Sequence, residues 1–494
     1  MPRKIPIFYS ALMLTGVNLL LRLAGTAFHV YISGRIGAVG VGLLQLVMSA
    51  GSFAMTAGMG GIRTTTMYLT AEELGRKHPG RVRWILSGCF RYSILCSTAV
   101  GILLYMSAPM IAEKWIGQEN VIGAIRLIAA FLPVNCLCGV MAGYFTAAGR
   151  IATLVAVEVA EQALSITSTM CLLSFWAGCD PSRACEAVVA GAGISSCATL
   201  MALVVLRLLE RQPAMPQIPV WRRLLACAVP LAGADILKSG ITTTENMLVP
   251  KRLALYPAAT NPLAVFGTVC GMVFPVLMFP AAILFGLAEL LIPELARCSA
   301  AGSYQRIRYL VRRSLKAALL YGCLFGGAMF LLSDTLCTAL YKSQEAGQWL
   351  RRFSPLIPML YCDALTDAMT KGLGQQKICV RYNILTSAMD VVLLFLLLPR
   401  YGMGGYYFSF LVTHGINFFL SLRRLVKISG IRIDPVKPLL TITATVVGMS
   451  AASLVKQRVA AGICGCVMTV CLYFLWNVLS KEDLTWVREL VRKK

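Results

Sequence analysis

Charge is scarce in this chain. Only 14% of its 494 residues are Asp, Glu, Lys or Arg, where a soluble globular domain carries about 25%. Acidic residues are the rarer sign, 22 against 46 basic ones. Histidine occurs at three positions, His29, His78 and His414, and no metal-ligand spacing can be built from them. No CxxC pair exists, and most of the 18 cysteines lie inside apolar segments, where Cys behaves as a small packing residue. Cys179 and Cys185 share a short loop, and both a pairing and two free thiols are open there. A GxxxxGK[ST] phosphate loop is missing, which excludes ATP hydrolysis by that route. No nucleophile–base arrangement or cofactor fingerprint appears either, so the reading is a non-enzyme without cofactor or metal. Arg3 and Lys4 precede an apolar run without a small-residue cleavage site, which reads as a retained first helix rather than a signal peptide.

What the chain has is apolar length. Hydrophobic residues make up 57% and the mean hydropathy is +0.72, the composition of a polytopic membrane protein. The expected fold is all-α, with about fourteen spans at roughly 8–33, 38–63, 84–108, 121–147, 151–177, 186–208, 224–249, 263–292, 312–333, 350–373, 378–399, 404–424, 437–455 and 459–479. The net charge of +24 is not a nucleic-acid stripe, because the basic residues sit in short clusters between apolar runs. Those clusters fall at the N-terminus, at 68–83, 207–223, 297–316 and 423–437, and in the tail after 480. All are even-numbered loops or termini, as expected when both termini are cytoplasmic and the span count is even.

A repeat accompanies this parse. Pro133 to Gly149 matches Pro358 to Gly374, and Arg126 and Arg351 hold the same offset of 225. Glu73, Arg91 and Ser93 are echoed by Glu294, Arg312 and Ser314. Six spans used twice in parallel give three segments: 1–212 (spans one to six), 213–430 (spans seven to twelve), and 431–494 (two further spans and a basic tail). Repeats of this kind place a substrate path between the halves.

Polar residues inside the spans mark that path. In span one, Asn18, Arg22, Gly25 and His29 are spaced to share one helix face. An arginine at mid-membrane costs about 2.5–3.5 kcal/mol on insertion scales, so Arg22 belongs in an interior or a wet cavity, where it is a site for an anion. In span seven, Asp235, Lys238, Thr242 and Glu245 again share one face. A self-neutralised network between helices and a cavity lining are both open for this set, Asp235 being within helical reach of Lys238. Arg22 and Lys238 together would suit a pyrophosphate. Further inward candidates are Gln45, Glu158, Glu161, Gln162, Glu289, Asp363, Asp367, Lys371 and Asp390, each taken alone read more readily as helix–helix glue than as a substrate contact. Arg63 and Arg126 lie near span ends and can snorkel.

GVGLLQLV (Gly40–Val47), AVPLAG (Ala228–Gly233), TENMLVPKRL (Thr244–Leu253), LLIPELA (Leu290–Ala296) and the Pro133–Gly149 stretch resemble, in order and spacing, the multidrug/oligosaccharidyl-lipid/polysaccharide (MOP) exporter superfamily. The resemblance is to its bacterial polysaccharide-biosynthesis group, which includes stage V sporulation protein B and is similar to the lipid II flippases. It implies two six-helix lobes around a central cavity, plus two C-terminal helices. It also implies transport of a polyprenyl-pyrophosphate-linked glycan across the bacterial cytoplasmic membrane by alternating access. Arg22 matches the position where such flippases meet the pyrophosphate, with Lys238 a further cation and Asn18, Gln45 and Thr242 near the sugar. Asp235, Glu245 and Asp363 would be counter-charges or ion-coupling sites. The expected partners are the lipid-linked oligosaccharide and membrane lipids, with envelope-synthesis enzymes as a further option, and the chain is expected to be monomeric. The rival readings are a cation-coupled multidrug exporter of the same fold and a non-transporting scaffold for envelope synthesis. Span one carries no carboxylate, which argues against the exporter.

Overall fold

The computed structural model describes residues 7–479, apart from 77, 176–179, 211–215, 217–218, 432–433 and 456. The side chain of Asn18, that of Glu289, Cys179 with its possible pairing, and the basic tail lie outside the described residues. The described chain is helical, and no strand occurs in it. Helix α1 (Ile7–Met59) runs for 53 residues, roughly 80 Å at 1.5 Å per residue. That is far more than one crossing of a hydrocarbon core of about 30 Å. It bends at Gly37, where φ is 68° and ψ −179°, a conformation only glycine adopts without strain. The two spans expected on either side of this point are therefore one helical run broken by a glycine.

The first repeat continues with α2 (Ile62–Gly75), α3 (Val82–Met110), α4 (Ile122–Ala147), α5 (Ile151–Phe175) and α6 (Pro181–Leu208). Pro181 opens α6 behind the Asp180 cap, whose carboxylate accepts from the Ser182 N–H at 3.0 Å and its hydroxyl at 2.9 Å. These two bonds, the backbone one first, hold the Asp180 carboxyl below the ordinary carboxylate range. Helix α7 (Trp221–Leu253) leads to a broken stretch of α8 (Pro262–Phe266), α9 (Phe274–Met278) and α10 (Ala281–Ala300). Then follow α11 (Tyr304–Tyr341), α12 (Gln344–Phe353), α13 (Ile357–Gly372), α14 (Gln376–Tyr401), α15 (Met403–Ser429), α16 (Val436–Ala452) and α17 (Arg458–Leu475). Among the described residues, nine helices are long and apolar enough to cross a membrane, or ten if the pair bent by 62° around Phe279–Pro280 is one span. The chain is a multi-pass membrane protein. A count of fourteen is not reached on this measure, since the long run of α1 counts once, α13 and α15 are too short or too polar, and α16 spans only 17 residues.

Packing divides the chain into two compact units, Met1–Gly267 with Leu394–Gly402, and Thr268–Leu393 with Met403–Lys494. In the first, Leu43, Val47, Ile125 and Leu132 form one buried cluster, and Ile62, Leu69, Ile85 and Phe145 another. Helix α7 belongs to this unit. In the second, α15 buries Gly405, Ser409, Thr413, Asn417, Ser421, Leu425 and Ser429. This seam of mostly small and polar residues repeats every four positions, the way membrane helices approach closely without a hydrophobic drive between them.

The same contacts recur inside each unit at one offset of 225. The Arg126 guanidinium lies 4.9 Å from the Tyr105 ring, and that of Arg351 lies 5.9 Å from the Phe330 ring. A Cβ on Gly101 would meet the Ala129 carbonyl at 3.0 Å, and one on Gly326 the Ser354 carbonyl at 3.1 Å. Gly149 and Gly374 end their helices with φ of 72° and 78°, the left-handed stop that glycine favours. Each unit therefore carries the same hairpin of long helices, α3–α4 in one and α11–α13 in the other.

Candidate functional site

The polar stripe of α1 meets two partners. Gly25 faces Gln162 of α5, whose Nε2 would lie 3.9 Å from an added Cβ. One turn further, His29 Nε2 sits 3.5 Å from Gln45 Nε2. Gln45 lies beyond the Gly37 bend, so the two halves of α1 touch through the polar groups that the sequence singles out. Arg22 is exposed on this stripe, and its hydrocarbon cost argues for a wet surface there. Its backbone carbonyl accepts from Thr26 Oγ1 at 2.9 Å.

Helix α7 packs along the second half of α1. Asn246 Nδ2 donates to Ser49 Oγ at 2.9 Å, Thr243 Oγ1 donates to the Ser49 carbonyl at 3.2 Å, and Gly240 lies against Phe53. These contacts use the Gly240–Thr243–Asn246 side of α7. Asp235, Lys238 and Thr242 lie on a different side and are exposed, while Glu245 is half-buried. Asp235 and Lys238 form no ion pair with each other among the described residues. The Thr242 hydroxyl donates back to the Lys238 carbonyl at 3.3 Å. The first unit thus presents accessible polar faces on both α1 and α7, each bearing a cation.

Partners that sequence reasoning passes over also appear. Arg63, near a span end and readable as a snorkelling residue, lies within electrostatic range of Glu158, as does Glu161. Ser196 of α6 donates to Glu161 at 3.3 Å. Glu73, 1% exposed, accepts from Arg223 at 2.9 Å, and the same guanidinium reaches Glu72 at 2.7 Å. One hundred and fifty residues separate Glu73 from Arg223, and no local pattern announces such a pairing.

The second unit holds the remaining candidates. Asn417 donates to both Asp363 oxygens, at 3.1 and 3.3 Å. One turn back along α15, Asp390 accepts from Ser409 at 2.6 Å and Thr413 at 3.2 Å, and His414 stacks on Phe410 with ring centroids 3.9 Å apart. Asp367 pairs with Lys371 at 2.5 Å. Asp363 and Asp390 are thus held by neutral donors rather than by cations. Replacing Asn417 by leucine leaves the half-buried Asp363 carboxyl without its donor, at an expected cost of about 1–3 kcal/mol. A lower melting temperature in detergent checks this, and the Asp363→Leu/Asn417→Leu double variant should recover most of the loss. Among the described residues, no group of three His, Cys, Asp or Glu is arranged to hold a metal ion.

No family model matches the chain. Stage V sporulation protein B of Bacillus subtilis (strain 168) is 22% identical over 408 residues, which cover 80% of this chain and 78% of that protein. The structure of the lipid II flippase MurJ in an inward closed conformation matches with a TM-score of 0.68 at 11% identity, over 97% of this chain and 100% of that one. An inward-facing multidrug resistance MATE family transporter of the MOP superfamily matches with a TM-score of 0.64 at 15% identity, over 85% of this chain and 100% of that one. This chain has the MOP-superfamily transporter fold. At identities of 11% and 15% the MOP fold is what these structures share with it, and the cargo has to be argued from side chains.

Proposed function

We propose that this protein moves a polyprenyl-pyrophosphate-linked glycan across the bacterial cytoplasmic membrane by alternating access, with both termini in the cytoplasm. The cargo would be a lipid II-like peptidoglycan or spore-cortex precursor, or a polysaccharide unit. Both the similarity to stage V sporulation protein B over 408 residues and the match to the lipid II flippase over 97% of the chain support this reading. The observation that carries it is the charge of α1. That helix has Arg22 on an accessible polar stripe and not one carboxylate along its 53 residues. A pocket for a cationic drug needs a carboxylate, whereas a diphosphate needs fixed cations.

Arg22 and Lys238 would grip the pyrophosphate, Arg22 as a bidentate fork and Lys238 as a point charge. Asn18, Gln45 and Thr242 would lie near the sugar. Asp235, Glu245 and Asp363 would balance charge or couple an ion gradient. In this reading the protein works as a monomer in which residues 1–212 and 213–430 act as the two lobes. It carries out transport and no covalent chemistry, with membrane lipids and envelope-synthesis enzymes around it.

The test is reconstitution into liposomes with a fluorescent polyprenyl-pyrophosphate glycan and an impermeant quencher. Faster loss of quenching than in empty vesicles is expected. Movement of a fluorescent organic cation instead would favour the multidrug exporter, for which the MATE likeness is the supporting observation. Movement of neither would favour a scaffold.

A further inference from the structure

A groove in the second unit involves neither the α1 stripe nor the α7 stripe. There α11, α13, α15 and α16 enclose about 1380 Å³. The two ends of this groove differ in chemistry. At one end stand Arg308, Arg312, Arg313, Lys316 and Lys437, with Asp434 the single carboxylate among the described lining residues. Arg308, Arg312 and Lys316 recur every four residues along α11, so they form a ladder on one face. Beyond them the walls turn apolar, with Leu319, Gly327 and Phe330 of α11 facing Ile442, Val446 and Met449 of α16. Ile442 and Val446 are 45% and 59% exposed, as expected of a wall against which a chain can lie.

The rung spacing sets the register. From Lys316 to Phe330 the helix rises roughly 20 Å, more than half of the hydrocarbon thickness of about 30 Å. An amphiphile whose phosphate rests on the ladder would therefore lay its chains down the groove from the headgroup layer. Basic pockets between helices at the cytoplasmic side of a membrane protein recognise anionic headgroups. On the proposed topology this end lies at that side, because the basic run Arg306–Lys316 follows an even-numbered span.

We propose that this groove is a binding site for an anionic glycerophospholipid, bound as a resident lipid and not as transported cargo. The headgroup phosphate takes Arg308 and Lys437, and the acyl chains cover the α11–α16 wall. The lining residues reach 170 positions apart in sequence, from Arg308 to Val478, so an occupied site ties α16 to the hairpin of α11 and α13. The inference takes only its topology from the transport reading, since it concerns neither Arg22 nor α7.

Native mass spectrometry of the delipidated, purified full chain tests it, with phosphatidylglycerol, phosphatidylcholine and a polyprenyl phosphate as probes. One phosphatidylglycerol per chain should be retained in preference to phosphatidylcholine. Each basic residue contributes about 1 kcal/mol near a charged surface, so each removal should lower that preference roughly fivefold. The variant Arg308→Gln/Lys437→Gln is therefore expected to lose most of it, while Arg83→Gln/Arg222→Gln in the first unit keeps it. Val446→Trp, which fills the apolar wall from an exposed position, should weaken phosphatidylglycerol and phosphatidylcholine alike. Equal retention of the two phospholipids, indifferent to these variants, would overturn the proposal. So would polyprenyl phosphate displacing phosphatidylglycerol at equal concentration, since the groove would then serve the chain of the cargo.

Discussion

Replacing Arg22 by alanine is expected to reduce transport of the lipid-linked glycan by about tenfold or more at unchanged membrane abundance. The size follows from what is removed. A charge-assisted hydrogen bond is worth about 1.5–3 kcal/mol, and 1.4 kcal/mol is tenfold in affinity or rate. Arg22→Lys keeps the charge and loses the planar fork that matches two phosphate oxygens at once. It should therefore fall between wild type and the alanine variant. Abundance should hold because Arg22 is exposed on α1, away from the buried Leu43–Ile125 cluster. Arg35 supplies the control. It lies on the same helix near the Gly37 bend, 5.6 Å from the Tyr31 ring, and Arg35→Ala should leave transport near the wild-type level. The readout is accessibility of a lipid-linked peptidoglycan precursor at the outer surface of intact cells, with the protein quantified in the same membranes. Unchanged accessibility in Arg22→Ala at normal abundance removes Arg22 from the substrate path, and with it the anion-gripping mechanism.

The candidate residues of this path are legible in sequence because the membrane makes polar groups conspicuous. Arg22, His29 and Gln45 stand out against apolar surroundings, and periodicity alone assigns His29 to the face of Arg22. What periodicity does not carry is the partner. His29 reaches Gln45 across a bend that depends on one glycine. Asp363 finds Asn417 from a helix 54 positions away, and Glu73 finds Arg223 across most of the first repeat and its linker. Each such pairing is decided by how helices cross, which depends on small residues whose positions mean little in isolation. The offset of 225 shows both sides of this. Arg126 and Arg351 align in the sequence by themselves, whereas their ring partners Tyr105 and Phe330 gain meaning only once α3 lies against α4 and α11 lies beside α12 and α13. The acidic neighbour of Arg63 escapes sequence reasoning for a related reason. Its place near a span end suggests snorkelling, and only the packing of α2 against its neighbours brings it toward Glu158.

The crossing most dependent on small residues gives the other large effect, Gly267→Val. A Cβ on Gly267 would lie 2.1 Å from the Ala38 carbonyl oxygen and 2.5 Å from the Gly42 nitrogen. Reciprocally, a Cβ on Gly42 would lie 2.4 Å from the Leu263 carbonyl. All three obstacles are backbone atoms, so no rotamer change relieves them, and the α1–α8 contact has to open. Small residues allow membrane helices to approach this closely, and packing is the main attraction between them in lipid. Valine is therefore expected to cost about 3 kcal/mol or more, the upper range for overpacking, and to deplete the protein from the membrane. Gly233→Ala is the matched control. Gly233 is helical with nothing within 4 Å of an added Cβ, and Ala favours a helix over Gly by up to about 1 kcal/mol. It should accumulate at or above the wild-type level. Thermal melting of the two variants in detergent, with abundance measured beside it, separates the outcomes. If the Gly267 variant melts and accumulates like wild type, the backbone contact between α8 and the start of the second half of α1 is not part of the native packing. If it is depleted, then the segment just past the Gly37 bend is fixed by contact with α8. The bend that joins His29 to Gln45 then has a rigid anchor on one side, and any movement of the Arg22 stripe has to take place on the other.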